Sequence, residues 1–216
     1  MGGLFVRKDQ TGFRQRQPTN MSGHLSLIAG LGNPEQRYEQ TLHNAGFWFV
    51  DALARKLDAR FRPEKRFDAE ICRARIAGEE VWLMKPQSFM NLSGGPIRSV
   101  LDYYRLSTDK LLVAHDEIDL PPGTVRLKKG GGHGGHNGIR DVISHCGADF
   151  IRLRLGIGHP GDKDRVTGYV LQPATRDVDS AVRRNIDEAI EIMPLLAESG
   201  LNAAMKALHT QSPGEA

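Results

Sequence analysis

Cysteine, long apolar runs and net charge are all scarce in this chain, and each shortage narrows what it can be. Only Cys72 and Cys146 occur in 216 residues, far apart and in no metal or redox spacing. Nothing therefore points to a disulfide, and two free thiols in a reducing, cytoplasmic setting are expected. No apolar run approaches the ~20 residues a membrane helix needs, so no membrane association is expected. The formal charge is only +3, and the stretch 1–20 holds four basic residues against Asp9, which accounts for the whole excess. Any nucleic-acid contact must therefore come from a local patch. Residues 124–165 supply one, with eight Lys or Arg against four acidic residues, and such clustering matters more than whole-chain charge.

A length of 216 residues suits one large domain or two small ones, and the pattern reads as one domain with tails. Residues 1–22 read as a basic, disordered extension, 23–210 as the folded domain and 211–216 as a flexible end. The extension lacks the apolar core of a secretory signal, and translation could equally start at Met21.

Apolar runs at residues 25–29 and 110–114 read as buried strands, and residues 70–85 as two strands joined at Ala77-Gly-Glu-Glu80. Two further strands are expected at residues 124–129 and 151–157, the second alternating Ile151, Leu153, Leu155 and Ile157 with Arg152 and Arg154. Phe47, Val50, Ala54 and Leu57 define a helix entered through Asn44 as N-cap. Ile97, Val100, Leu101 and Tyr104 define a second, with Pro96 at its first position. Residues 137–145 suggest a short helix. Val178, Val182, Ile186, Ile190 and Met193 define a long one, with Pro194 and Gly200 marking a kink or break. Strands alternating with helices predict an α/β sandwich with a twisted, mostly parallel or mixed central sheet flanked by helices. Ligands in such sheets bind beyond the strand carboxyl ends, where Asn33, Asn91 and Asp116 fall.

Three segments carry the candidate chemistry. Gly30-Leu-Gly-Asn33-Pro34 followed by Tyr38-Glu-Gln-Thr-Leu-His43-Asn44-Ala-Gly46 sets a histidine and two asparagines at a helix entrance. Histidine is the side chain whose ordinary pKa lies nearest neutrality, and asparagine keeps a donor and an acceptor at any pH. The others are Lys85-Pro-Gln-Ser-Phe-Met90-Asn91-Leu-Ser-Gly-Gly and Gly130-Gly-Gly-His133-Gly-Gly-His136-Asn137-Gly138. Taken singly, each Asn is an ordinary turn former and Met90 a core filler.

Gly30 and Gly32 hint at a dinucleotide fingerprint, but Glu35 stands where the third glycine belongs. The loop at 130–138 lacks the Lys-Ser or Lys-Thr of a phosphate loop. Ser93 lacks the Gly-x-Ser-x-Gly elbow. His133 and His136 have no third ligand at matching spacing, so no metal and no cofactor is expected.

Together with His115-Asp116-Glu117, Arg152-Leu-Arg154-Leu-Gly-Ile-Gly-His159-Pro-Gly and Gly168-Tyr-Val-Leu-Gln-Pro173, these motifs resemble bacterial peptidyl-tRNA hydrolase, in order, over residues 25–208. The resemblance implies a hydrolase that cleaves the ester between a peptide and the tRNA 3′ end, recycling prematurely released peptidyl-tRNA. It places the catalytic histidine and its partner on His43 and Asp116. Asn33, Asn91 and Asn137 fall on the other polar site positions, with Tyr38, Met90 and His136 near substrate. The basic stretch nominates Lys128, Lys129 and Arg154 for tRNA phosphates. A monomer is expected. Two other readings stand beside this one: an RNA-binding protein of the same fold without catalysis, and a hydrolase of small amides or esters.

Overall fold

The computed structural model describes residues 25–210. The calls on 1–22 and 211–216 lie outside the described residues. A seven-stranded mixed sheet runs through the molecule in the order β2-β3-β4-β1-β5-β7-β6. The strands are β1 (Leu27–Gly30), β2 (Arg62–Glu64), β3 (Ala69–Ile76), β4 (Glu79–Pro86), β5 (Leu111–Glu117), β6 (Val125–Lys129) and β7 (Ile151–Gly156). Parallel pairing joins β1 to β4 and β5, and β5 to β7. The two edges are antiparallel, β2 and β3 on one side and β6 on the other.

Six helices lie among the described residues: α1 (Ala45–Lys56), α2 (Gly94–Tyr104), α3 (Asn137–Cys146), α4 (Val166–Val170), α5 (Arg176–Ser199) and α6 (Leu201–Thr210). Successive strand side chains face opposite sides, so Ile28, Leu112 and Ala114 join the core under α1, α5 and α6. Leu27, Ala29, Leu111 and Val113 join the core under α2 and α3. Both faces of β1 and β5 are thus covered, which is why their sequences are unbroken apolar runs. No helix among the described residues is long and apolar enough to cross a membrane.

Local chemistry departs from expectation at several points. Pro96 sits two residues inside α2, which begins at Gly94. The chain runs helical through Pro194 and breaks at Gly200, whose φ of 82° ends α5; burial of Met193 and Leu196 beside the proline holds that turn in place. Neither β2 nor α4 is expected from the sequence, since Arg62-Pro-Glu has no apolar alternation and α4 is barely one turn.

The contact that positions the site is the entry of α1 between β1 and β5. A β-carbon on Gly46 would collide with the Ala114 carbonyl and the Leu31 backbone. Gly46→Ala is therefore expected to lower stability by roughly 1–3 kcal/mol or more, measurable as a lowered urea midpoint. An unchanged midpoint would mean that this entry is slack.

Candidate active site

Because β1, β4 and β5 are parallel neighbours, the loops after all three open on the same end of the sheet. A cleft of about 1020 Å³ lies there, lined by Asn33, Tyr38, His43, Met90, Asn91, Asp116, His136 and Asn137, with Phe89, Ile118, Val166 and Leu171 as an apolar wall. Every residue nominated for catalysis or for the neighbourhood of the substrate is in that lining. The wall from α4 is tied to the loop before His43: Leu42 N–H donates to the Gln172 carbonyl, Ala174 N–H donates to the Gln40 carbonyl, and Thr41 bridges to Pro173.

At the floor, His43 Nδ1 lies 2.9 and 3.0 Å from the two carboxylate oxygens of Asp116, a pair 73 residues apart in sequence. His136 Nε2 reaches the same Asp116 Oδ1 at 3.0 Å. Its Nδ1 accepts the Ile139 N–H at 3.3 Å, capping α3. That acceptor role puts the His136 proton on Nε2, donated to Asp116. His43 likewise donates from Nδ1, which leaves Nε2 as its lone-pair nitrogen.

Asp116 is 3% exposed. Burial alone would raise its pKa, but the charges of His43 and His136 and their hydrogen bonds outweigh it and hold the carboxyl well below the usual range. Burial pulls the His43 pKa down, and the Asp116 charge and hydrogen bond more than reverse this, so it ends raised. Beneath them His115 is fully buried. Its Nδ1 donates to the Asp116 carbonyl at 2.7 Å, and its ring meets His136 edge-on at 4.9 Å. Burial, then the neighbouring His136, keeps its pKa well below normal, so His115 is neutral.

Two amides have their oxygens occupied. Asn33 Oδ1 accepts the Met90 N–H at 2.8 Å, and Asn137 Oδ1 accepts from Arg140 at 2.8 Å. In each, the NH₂ remains for the cleft. Asn91 sits in a tight turn, Met90–Leu92, held by the Ser93 hydroxyl donating to the Met90 carbonyl at 2.8 Å and by Gly94 N–H donating to Asp141 of α3 at 2.7 Å. Tyr38 lies under the Arg37 guanidinium, 4.8 Å from its ring centre.

These local arrangements meet a comparison with known proteins. The peptidyl-tRNA hydrolase family model matches residues 27–215. The chain belongs to that family. Among curated peptidyl-tRNA hydrolases, that of Xanthomonas campestris pv. campestris is 54% identical over 187 residues, 86% of this chain and 97% of the relative. That of Marinobacter nauticus is 48% identical over 194 residues, 89% of this chain and 99% of the relative. A crystal structure of peptidyl-tRNA hydrolase from Acinetobacter baumannii superposes with a TM-score of 0.86 at 44% identity, covering 91% of this chain and 100% of that one.

Other parts of this peptidyl-tRNA hydrolase family member fall differently from the sequence reading. Linear spacing suggested no metal-ligand set, yet His43, Asp116 and His136 bring ligand atoms within 4.8 Å of one another. Those atoms are already joined by two N–H···O bonds, and the His136 Nδ1 is taken by the α3 cap, so a cation would have to displace protons that the trio uses. Lys85, inside a site motif, pairs with Asp51 at 2.8 Å and Glu70 at 2.9 Å, pinning β4 to α1 and β3. The register β6–β7 sets Lys128 beside Arg152 and Arg126 beside Arg154, on one face. Lys129 alternates to the other face with Val125 and Leu127 and pairs with Asp149 at 3.1 Å. Arg154 donates to Glu117 at 2.9 Å, and Arg152 is buried against the Gly130 carbonyl. The base of the glycine loop thus folds over Arg152 and covers, at that point, the face of β7 that the alternation of apolar residues with arginines left open.

The sequence reading missed Asn44, whose side chain makes no cap for α1 but bonds Asn33. It also missed Phe89, Arg140 and Lys163 in the cleft lining. Phe89 could have been flagged as an aromatic beside Met90 that no apolar pattern buries; it is 47% exposed.

Proposed function

We propose that this protein hydrolyses the ester joining a peptide carboxyl end to the terminal ribose of tRNA, recycling tRNA from prematurely released peptidyl-tRNA. The observation that carries the reading is the His43 Nδ1 to Asp116 bond at 2.9 Å on the floor of an amide-lined cleft, in a chain of this family. In that mechanism His43 Nε2 takes a proton from water as the water oxygen attacks the ester carbonyl carbon. The Asp116 carboxylate stabilises the imidazolium so formed. Uncharged donors stabilise the carbonyl oxygen as it becomes an oxyanion, a role open to the NH₂ groups of Asn91 and Asn137, while Asn33 supports the water or the base. Collapse breaks the bond to the ribose oxygen, which takes the proton back from His43. No step calls for a metal or cofactor.

Action as a monomer in a cytoplasmic setting belongs to the same proposal, and the free, buried Cys72 and Cys146 support the reducing compartment. The test is hydrolysis of N-blocked against free aminoacyl-tRNA. Selective release from the blocked form is expected. Binding of tRNA without release would favour a non-catalytic RNA-binding role, and equal cleavage of small esters an unrelated hydrolase.

Lys128, exposed on the basic face, is the nominated residue best placed for a tRNA phosphate; Lys129 and Arg154 already have their charges partly offset by Asp149 and Glu117. Lys128→Ala should raise KM for many tRNAs alike with little change in kcat, since phosphate contacts carry no sequence information. The salt slope of binding should fall in magnitude by ~0.7–0.9. A blocked aminoacyl-adenosine lacks that phosphate and should be cleaved equally by both proteins; a parallel loss on it would mean that Lys128 supports the cleft itself.

A further inference from the structure

Asn44 stands at the position where an asparagine ordinarily caps a helix, and its side chain does something else. It is 3% exposed. Its Oδ1 accepts the Asn33 N–H at 2.8 Å and its Nδ2 donates to the Asn33 carbonyl at 3.0 Å. Two bonds to the main chain of one residue fix both the position and the tilt of that segment, which one bond could not. The loop needs such a hold. Residues 31–34 belong to no strand or helix, and Pro34 has no N–H to offer a neighbour.

With its main chain clamped, Asn33 presents Oδ1 to the Met90 N–H at 2.8 Å and leaves its NH₂ for the cleft. The clamp therefore sits behind a chain of contacts from Asn44 through Asn33 to Met90, next to Asn91. Because Asn44 directly follows His43, the same two bonds tie the main chain of the base to the amide opposite it, across eleven residues. We propose that Asn44 is a positioning residue for the hydrolytic reaction, acting through Asn33 to hold the Asn33 amide and the Met90–Asn91 turn in register with His43. The proposal rests on the hydrolytic reading above.

A misplacement of about 1 Å in such a site costs on the order of 100-fold. Asn44→Ala should therefore lower kcat/KM for blocked aminoacyl-tRNA by roughly 10- to 100-fold, mainly in kcat. The deciding measurement is a double-mutant cycle with Asn33→Ala. In the Asn33→Ala background, Asn44→Ala should cost less than about threefold, although both backgrounds lose thermal stability; a purely structural asparagine would cost the same rate in each. Amide hydrogen exchange at Met90, read by NMR, supplies an arm independent of turnover: it should accelerate in Asn44→Ala while the amides of β5 stay protected. Equal rate losses in both backgrounds, or unchanged exchange at Met90, would overturn the proposal. If Asn44→Ala does not fold, Asn44→Ser, whose hydroxyl can meet one of the two bonds, carries the same cycle. A wild-type protein that fails to cleave the blocked substrate would defeat the hydrolytic reading, while the Met90 arm still tests the clamp.

Discussion

Replacing His43 with alanine should lower kcat by at least roughly 100-fold, the low end of what a positioned general base contributes, with tRNA binding near normal. The expectation rests on geometry: with Nδ1 committed to Asp116, the ring has only Nε2 to offer a water. Binding is spared because the contacts nominated for phosphates come from side chains on β6 and β7 and do not use the His43 ring. The same pair fixes the sign of the pH dependence. The working form of His43 is neutral, and its pKa is raised above the ordinary 6.5 because the Asp116 charge and hydrogen bond overcome burial. Activity should therefore rise with pH through a midpoint above 6.5, and the His43→Ala residue of activity should lack that limb. Near-normal turnover, or an acid limb that survives the substitution, would remove His43 from the role of base.

Much of the architecture could be read from period and punctuation, because burial on both faces of β1 and β5 writes unbroken apolar runs into the sequence. Those strands also located the site, since their carboxyl ends carry Asn33 and Asp116. What could not be read was pairing across the fold. Asn44 looked like a cap because local propensity favours one there, yet the fold offers it the open backbone of Asn33. His136 sits in a glycine-rich loop whose path no periodicity determines, so its bonds to Asp116 and to the start of α3 emerge only in three dimensions. Lys128 and Lys129 are adjacent and looked alike, but strand alternation sends them to opposite faces. The basic stretch was legible as composition, whereas its division into an exposed lysine, a Glu117-bound arginine and a buried arginine depended on the β6–β7 register.

Asp116→Asn should be nearly as damaging as loss of the base, with kcat falling by roughly 10²- to 10⁴-fold. Asp116 Oδ1 accepts from both imidazoles, at 2.9 Å from His43 and 3.0 Å from His136, while Oδ2 lies 3.0 Å from His43 alone. An amide can keep its oxygen at the shared position only by turning its NH₂ toward His43 Nδ1. Donor then faces donor. Relief comes if His43 moves its proton to Nε2, and that tautomer has no lone pair to accept a proton from water. If the amide turns the other way, His136 loses its acceptor and still no carboxylate charge stabilises the imidazolium. The substitution also removes what raises the His43 pKa, leaving burial, which lowers it. Whatever turnover remains should therefore show its acid limb displaced to lower pH, opposite to the effect of adding a carboxylate. A variant that keeps kcat within about threefold of the wild type, or whose acid limb stays in place, would show that His43 and Asp116 do not act as a unit.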